Sequence, residues 1–371
     1  MKNLKIEKIE IIKLNIPLKE PVIISLGVIY KTENLLIKIH TDSGLTGTGE
    51  ASPLRQIVGE TQSSEIEIAK HLAAFLTGKN PLAIEDRLDE MDREIAGNNT
   101  LKSAFDMAMY DLLAKSAGMP LYQLLGGSNS REIYTDMTVY LGTPEKMAAQ
   151  SLEYKNEGFP AIKVKLGTTE KEDIARIQAI REAIGYEIPL RIDANQGWDT
   201  VMAIRTLKAL EKYDIEHCEE PIAHWNNRDL VRVRNNSPIS IMADESVFDH
   251  RDAFRLASMG ACDYFNIKLS KTGGIHNALK IIAVGEAAGI KSQVGCMSES
   301  RYALTALTHL VAARNNIIHF DIDSSFPHAE DPVIGGIQYK GKGKWELPDE
   351  PGIGADFNPD FLEGMEKVVI S

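Results

Sequence analysis

Short apolar runs recur through the last two thirds of the chain at a beat of roughly 25 residues, and each closes on a charged side chain. Ala161-Ile162 leads into Lys163-Val164-Lys165, Pro189-Leu190-Arg191-Ile192 into Asp193, Ile239-Ser240-Ile241-Met242-Ala243 into Asp244, and Tyr264-Phe265-Asn266-Ile267 into Lys268. From Lys165 the steps are 28 residues to Asp193, 26 to Glu219, 25 to Asp244 and 24 to Lys268. A strand of about five residues, a helix of about twelve and two loops fill such a step, so the pattern predicts successive βα units. Strands are expected near 134–140, 161–165, 189–193, 215–219, 239–243, 264–268, 292–296 and 317–321. Helices fall between them, for example Glu172–Ile184, Val201–Tyr213 and Ile275–Ala288. Eight strands and seven intervening helices make an α/β barrel, whose C-terminal strand ends meet at one mouth.

The first 125 residues do not keep this beat. Leu4, Ile6, Ile9 and Ile11 form a broken alternation, and Leu36–Ile39, Asp42-Ser43-Gly44 and Leu45–Glu50 read as a hairpin. Three helical patterns follow, over Ser63–Leu76, Ile84–Ile95 and Asn99–Ser116, the last with Leu101, Ala104, Phe105, Ala108 and Leu112 on one face. Strands followed by helices mark a separate α+β domain. The expected organisation is residues 1–125 as that domain, 126–323 as the barrel, and 324–371 as a Pro- and Gly-rich segment running back to the first domain.

Composition narrows the function. A length of 371 residues suits two domains, and a formal charge of −12 excludes a general nucleic-acid or anionic-membrane surface, which needs a basic face. Cys218, Cys262 and Cys296 lack metal-type spacing and are odd in number, which points to a reducing cytoplasm. The N-terminal residues are too charged for a signal-peptide core, and no stretch approaches the ~20 apolar residues of a membrane span. A soluble enzyme fits.

Its chemistry lies at the strand ends. Any one of Asp193, Glu219 and Asp244 alone reads equally well as a helix cap after a strand. Three in consecutive units read as oxygen ligands for a hard cation, Mg²⁺ first; zinc is disfavoured because no His pair or Cys lies nearby. Glu220 competes with Glu219, since only one of two adjacent strand side chains faces the mouth. Lys163 and Lys165 point to one side of their strand. A lysine has only about one amine in 2,500 free at pH 7, and freeing half takes roughly 4–5 kcal/mol, which neighbouring cations and burial supply. Lys163 is expected to tune Lys165 and to hold a carboxylate. Lys268 stands half a ring away, so one lysine can take a proton from a carbon while the other returns one to its opposite face. Asp321 and Asp323 suit an ammonium group. Asn195 shares a face with Asp193, Cys296 and Met297 stand near a strand mouth, His217, His309 and His319 read as satisfied packing histidines, and Lys271 as solvated.

Together, Lys163-Val164-Lys165, Asp193-Ala194-Asn195-Gln196-Gly197-Trp198, Glu219-Glu220-Pro221, Ala243-Asp244-Glu245-Ser246 and Lys268 with Gly273-Gly274 resemble the enolase superfamily, in its muconate-lactonizing subgroup. The resemblance spans the chain. It implies a (β/α)₇β modified TIM barrel with an N-terminal α+β capping domain completed by the C-terminal tail, one Mg²⁺ per subunit held by Asp193, Glu219 and Asp244, and Lys165 and Lys268 as paired bases. Mobile capping loops, here Ile16–Tyr30 and Pro53–Thr61, would close over the substrate. Asp321-Ile322-Asp323 resembles the dipeptide epimerase signature, in which the acids hold the substrate α-ammonium while Lys163 meets its carboxylate. Where L-Ala-D/L-Glu epimerases carry an arginine for the Glu side chain, this chain has Gly27. A dipeptide with small or apolar side chains is therefore expected, with Ile24, Leu26 and Ile57 as lining, unless Arg55 restores the cation. The alternatives are L-Ala-D/L-Glu epimerase, o-succinylbenzoate synthase, N-succinylamino acid racemase and muconate cycloisomerase. Outside the fold's chemistry stand a Schiff-base aldolase and a binding protein without catalysis. A homo-oligomer is compatible with the resemblance, though no residue specifies its order.

Overall fold

In the computed structural model, which describes residues 4–371, the N-terminal chain forms three antiparallel strands, β1 (Ile6–Ile24), β2 (Gly27–Thr41) and β3 (Thr46–Ala51). The first three residues of the expected N-terminal domain lie outside the described residues. Ile9, Ile11, Ile12, Leu14 and Ile16 of β1 are buried, as are Leu35, Leu36, Ile37 and Ile39 of β2. Against this sheet pack α1 (Gln62–Leu76) and α3 (Asn99–Ala117), and α2 (Ile84–Glu94) packs on α3. Close approach requires Gly49, because a Cβ there would strike the Ala104 backbone of α3.

Eight parallel strands follow: β4 (Met137–Val139), β5 (Ile162–Lys165), β6 (Leu190–Asp193), β7 (Ile215–Glu219), β8 (Ser240–Ala243), β9 (Tyr264–Ile267), β10 (Lys291–Val294) and β11 (Ile317–Phe320). Each pairs with its sequence neighbour, and the Asp136 N–H donates to the Phe320 carbonyl at 3.0 Å between the two end strands. The apolar residues between the charged strand ends (Ile162, Val164, Leu190, Ile192 and Ile241) are fully buried, which is why a short continuous run here makes a strand covered on both faces. Register places Lys165 opposite Asp193 and Asp193 opposite Glu219, so three charged residues share one level of the mouth.

The tail runs back along the molecule to the N-terminal sheet. Its last strand, β12 (Lys367–Ile370), pairs antiparallel with β1, Ile9 opposite Ile370, while earlier tail residues Lys344–Glu346 pair with Ile133–Tyr134 beside the barrel. The segment Ile16–Tyr30 is not a loop. β1 continues to Ile24 and β2 begins at Gly27, because Val22-Ile23-Ile24 and Val28-Ile29 favour strand; within this segment the register shifts between Pro17 and Val22. The hairpin tip rests on the mouth: the Leu141 N–H donates to the Ile23 carbonyl at 3.1 Å, and the Ser25 hydroxyl to the Ala194 and Asn195 carbonyls at 3.1 and 2.9 Å. Pro53–Thr61 contains a helical turn over Arg55–Val58. Among the described residues, no helix is long and apolar enough to cross a membrane.

Candidate active site

Strand alternation sends Lys163 and Lys165 of β5, Arg191 and Asp193 of β6, and His217 and Glu219 of β7 into the barrel. The lower member of each pair packs the interior and the upper one reaches the mouth. At the mouth, carboxylates and ammonium groups form one network of ion pairs. Lys165 Nζ lies 2.6 Å from Asp193 Oδ2, and Lys268 Nζ 2.7 Å from Asp244 Oδ2. Lys163 Nζ lies between Asp321 Oδ2 at 2.7 Å and Glu219 Oε2 at 2.8 Å, with Asp193 Oδ2 at 3.5 Å. Burial opposes the charge on Glu219, but Lys163, Lys268 and Lys165 outweigh it and hold its carboxyl well below the usual range. Burial likewise opposes charge on Lys163 and Lys268. Asp321 and Glu219 around the first, and Asp244 and Glu219 around the second, hold both ammonium groups well above the ordinary lysine value.

The three acids suit a hard cation. Glu219 and Asp244 lie within hydrogen-bond reach of each other, and Asp244 Oδ1 is buried without a hydrogen-bond partner. Burial raises the Asp244 carboxyl. Two carboxylates in contact need a proton or a cation between them, and an all-oxygen donor set matches Mg²⁺. With the side chains as placed, the three do not close into one cluster, because an ammonium stands against each of them. Among the described residues, the sets whose ligating atoms all lie within 4.8 Å of one another are Cys296–Asp321–Asp323 and Glu216–His217–His319.

Lys165 and Lys268 line one cavity of about 50 Å³ together with Asn195, Asp321, Asp323, Ile24, Ile57, Cys296 and Met297. Asp321 Oδ1 is buried there without a hydrogen-bond partner, while Asp323 accepts the Thr138 N–H at 2.9 Å and the Cys296 thiol at 3.6 Å. Burial and then the charge of Asp321 push the Asp323 carboxyl up to about 7. Leu26, in the hairpin turn, and Gly27, the first residue of β2, lie outside this lining. Arg55 faces an adjoining chamber of about 390 Å³, which shares Ile29 and Leu54 with the cavity.

Four expectations need correction or completion. Lys271 is not solvated: it is 0 % exposed, folded under the mouth by a helical turn at Leu269–Thr272. Glu220 does not compete for the mouth, since it accepts the Asp244 N–H at 2.7 Å and the Ser246 N–H at 3.1 Å and braces that loop from below. His309 is satisfied by the Tyr122 N–H and the Ile353 carbonyl, and His319 accepts from Arg191, but His217 is buried with neither ring nitrogen partnered. Sequence reasoning missed Val22, Ile29, Leu54, Thr138 and Tyr140 of the lining, and also Asn266 and Gln293, whose amides donate to the two oxygens of Glu219 at 2.8 and 3.2 Å. The last two were legible in principle, as amides pointing inward on strands flanking the acids. Gly295 makes room for Asn266: a Cβ there would come within 2.6 Å of its Oδ1.

Comparison with known proteins agrees with this geometry. Residues 6–126 match the mandelate racemase / muconate lactonizing enzyme N-terminal domain, and residues 146–361 match the enolase C-terminal domain-like family. The chain is 45 % identical to a D-Ala-D/L-Ala epimerase of Cytophaga hutchinsonii over 99 % of its own length and 100 % of the relative's. It is 41 % identical to an L-Ala-D/L-Glu epimerase of Clostridium acetobutylicum, covering 95 % of this chain and 98 % of that one. A crystal structure of the dipeptide epimerase from Cytophaga hutchinsonii, complexed with Mg and the dipeptide D-Ala-L-Val, superposes with a TM-score of 0.98 at 45 % identity, over 99 % of this chain and 100 % of that one. The barrel, its cap and the charged mouth thus place this chain in the mandelate racemase and muconate lactonizing enzyme family of the enolase superfamily.

Proposed function

We propose that the protein is a Mg²⁺-dependent dipeptide epimerase, an isomerase that inverts the α-carbon of the C-terminal residue by a two-base 1,1-proton transfer. The observation that carries this reading is that Lys165 and Lys268, on strands four apart in a ring of eight, line one cavity with the Asp321 and Asp323 carboxylates. Asp193, Glu219 and Asp244 would hold the Mg²⁺. When bound, the ion supplies positive charge to the substrate carboxylate, where negative charge grows as the α-proton leaves.

The chain's own residues do the rest. Asp321 and Asp323 take the substrate ammonium, and the Asp321 Oδ1 that lacks a partner is the acceptor for it. Lys163 stands beside the metal-binding acids, 2.8 Å from Glu219, and meets the substrate carboxylate. One of Lys165 and Lys268, as a free amine, takes the α-proton; the C–H electron pair moves into the carboxylate as an enediolate, and the ammonium of the other lysine returns a proton to the opposite face. Ser25 and Ile23, bonded to the barrel loops, keep the hairpin tip over the mouth and exclude water.

A small substrate fits best. The cavity is about 50 Å³, and Val22, Ile24, Ile29, Leu54 and Ile57 wall it with no cation beyond the two bases Lys165 and Lys268. A buried carboxylate without a partner is expensive. L-Ala-D/L-Glu epimerisation is the second reading, favoured by Arg55 in the chamber next door. Steady-state rates over a panel of dipeptides separate the two. Ala-Ala and Ala-Val should lead, and a preference for C-terminal Glu that vanishes in Arg55→Ala would select the second. The same reading divides the chain into a cap at residues 1–125, a barrel at 126–323 and a returning segment at 324–371. Three free thiols fit a reducing cytoplasm.

A further inference from the structure

We propose that Lys271 is a positioning residue that sets Lys268 and Asp244, and through them one of the two faces of proton transfer. The proposal rests on the two-base reading above. Lys271 is wholly buried, and its three N–H donors are all used: to the carbonyls of Asp244 at 2.9 Å, Val247 at 2.6 Å and Asn266 at 2.8 Å. Its Nζ also lies 3.4 Å from Asp244 Oδ1, on the far side of the carboxylate whose Oδ2 holds Lys268 at 2.7 Å.

Those three carbonyls belong to two separate pieces of the mouth. Asp244 and Val247 lie on the loop after β8, and Asn266 lies on β9, two residues before Lys268. One ammonium therefore fixes the strand end that carries a base to the loop that carries its carboxylate partner. The second face of that loop is held by Glu220, through the Asp244 and Ser246 N–H groups, so the Asp244 backbone is gripped from both sides. Burying a charge among neutral carbonyls is costly, and a hydroxyl or amide could have met fewer of them at less cost. Lys271 makes no hydrogen bond or ion pair to β5, which carries Lys165, so with Mg²⁺ saturating its influence falls on one face of the reaction.

That asymmetry is the test. Wild type, Lys268→Ala, Lys271→Met and Lys271→Gln are compared by circular dichroism, by calorimetric titration with Mg²⁺, and by α-hydrogen exchange of each Ala-Ala epimer in D₂O at saturating Mg²⁺. The epimer whose exchange is lost in Lys268→Ala defines the Lys268 face. Folded Lys271→Met should lose exchange on that face at least tenfold and keep the other within threefold. Lys271→Gln, with two donors left, should fall between it and wild type. Equal losses on both faces, or none, would overturn the proposal, and so would failure of both Lys271 variants to fold, which would assign the residue to stability alone. If Lys268→Ala itself shows no loss confined to one epimer, the two-base reading falls first and takes the proposal with it.

Discussion

Buried carboxylates gather in two regions of this molecule and meet different partners. At the barrel mouth, Asp193, Glu219, Asp244 and Asp321 each face an ammonium within 2.8 Å. Along the seam between the N-terminal sheet and helices and the barrel, Glu50 and Asp106 face only neutral donors. Glu50 accepts from the Ser300 N–H and hydroxyl and from Asn34, and Asp106 of α3 accepts the Ile275 and His276 N–H groups at the start of a barrel helix. Burial then dominates. It raises the Glu50 carboxyl and pushes that of Asp106 up to about 8. Helix N–H groups hold such an acid in place without securing its charge, whereas the three lysines around Glu219 keep its carboxylate ionised against the same burial. The mouth is built to carry charge and the seam to join two layers.

The largest break in that contrast comes from metal removal. Chelation should abolish epimerisation and added Mg²⁺ restore it, with the fold unchanged by circular dichroism, because each mouth acid already has an ammonium partner. Next comes the ammonium pocket. Asp323→Asn should lower kcat/KM by about 10²-fold, mostly through KM, since it leaves a buried charge underpaired. Its pH dependence follows from the direction of the shift. Only the ionised acid attracts the substrate ammonium, so kcat/KM of wild type should fall as pH drops through about 7, and Asp323→Asn should lack that limb. The smallest effect belongs to the seam. The folded state binds a proton on Asp106 more tightly than the unfolded chain does, so this group's stabilisation is complete below about 4 and lost as pH rises to about 8. Asp106→Asn stays neutral throughout, so its melting temperature relative to wild type should climb over that window while kcat stays unchanged.

The two regions also differed in how far the sequence disclosed them. The barrel mouth was legible because each functional residue ends an apolar run at a fixed step, and a parallel sheet turns equal steps into neighbouring positions, as with Lys165, Asp193 and Glu219. Ile275–Ala288 was placed to the residue for the same reason, a clean helical period between two strands. The hairpin tip was not, since the resemblance implied a capping loop over Ile16–Tyr30 and the pairing that makes it two strands lies across the sheet. Lys271 was hidden because burial of a lysine depends on three carbonyls from distant segments, which no local pattern announces. Lining residues such as Val22, Leu54 and Tyr140 come from three separate segments brought together only by the closed fold.

The opposed lysines remain the centre of the account. The most direct test is α-hydrogen exchange of each Ala-Ala epimer in D₂O with wild type, Lys165→Ala and Lys268→Ala at saturating Mg²⁺. Wild type should exchange both epimers. Each variant should lose exchange from a different epimer by about 10³-fold, the size of a general-base contribution. Loss of the same epimer in both variants, or exchange untouched in either, would contradict transfer between two bases.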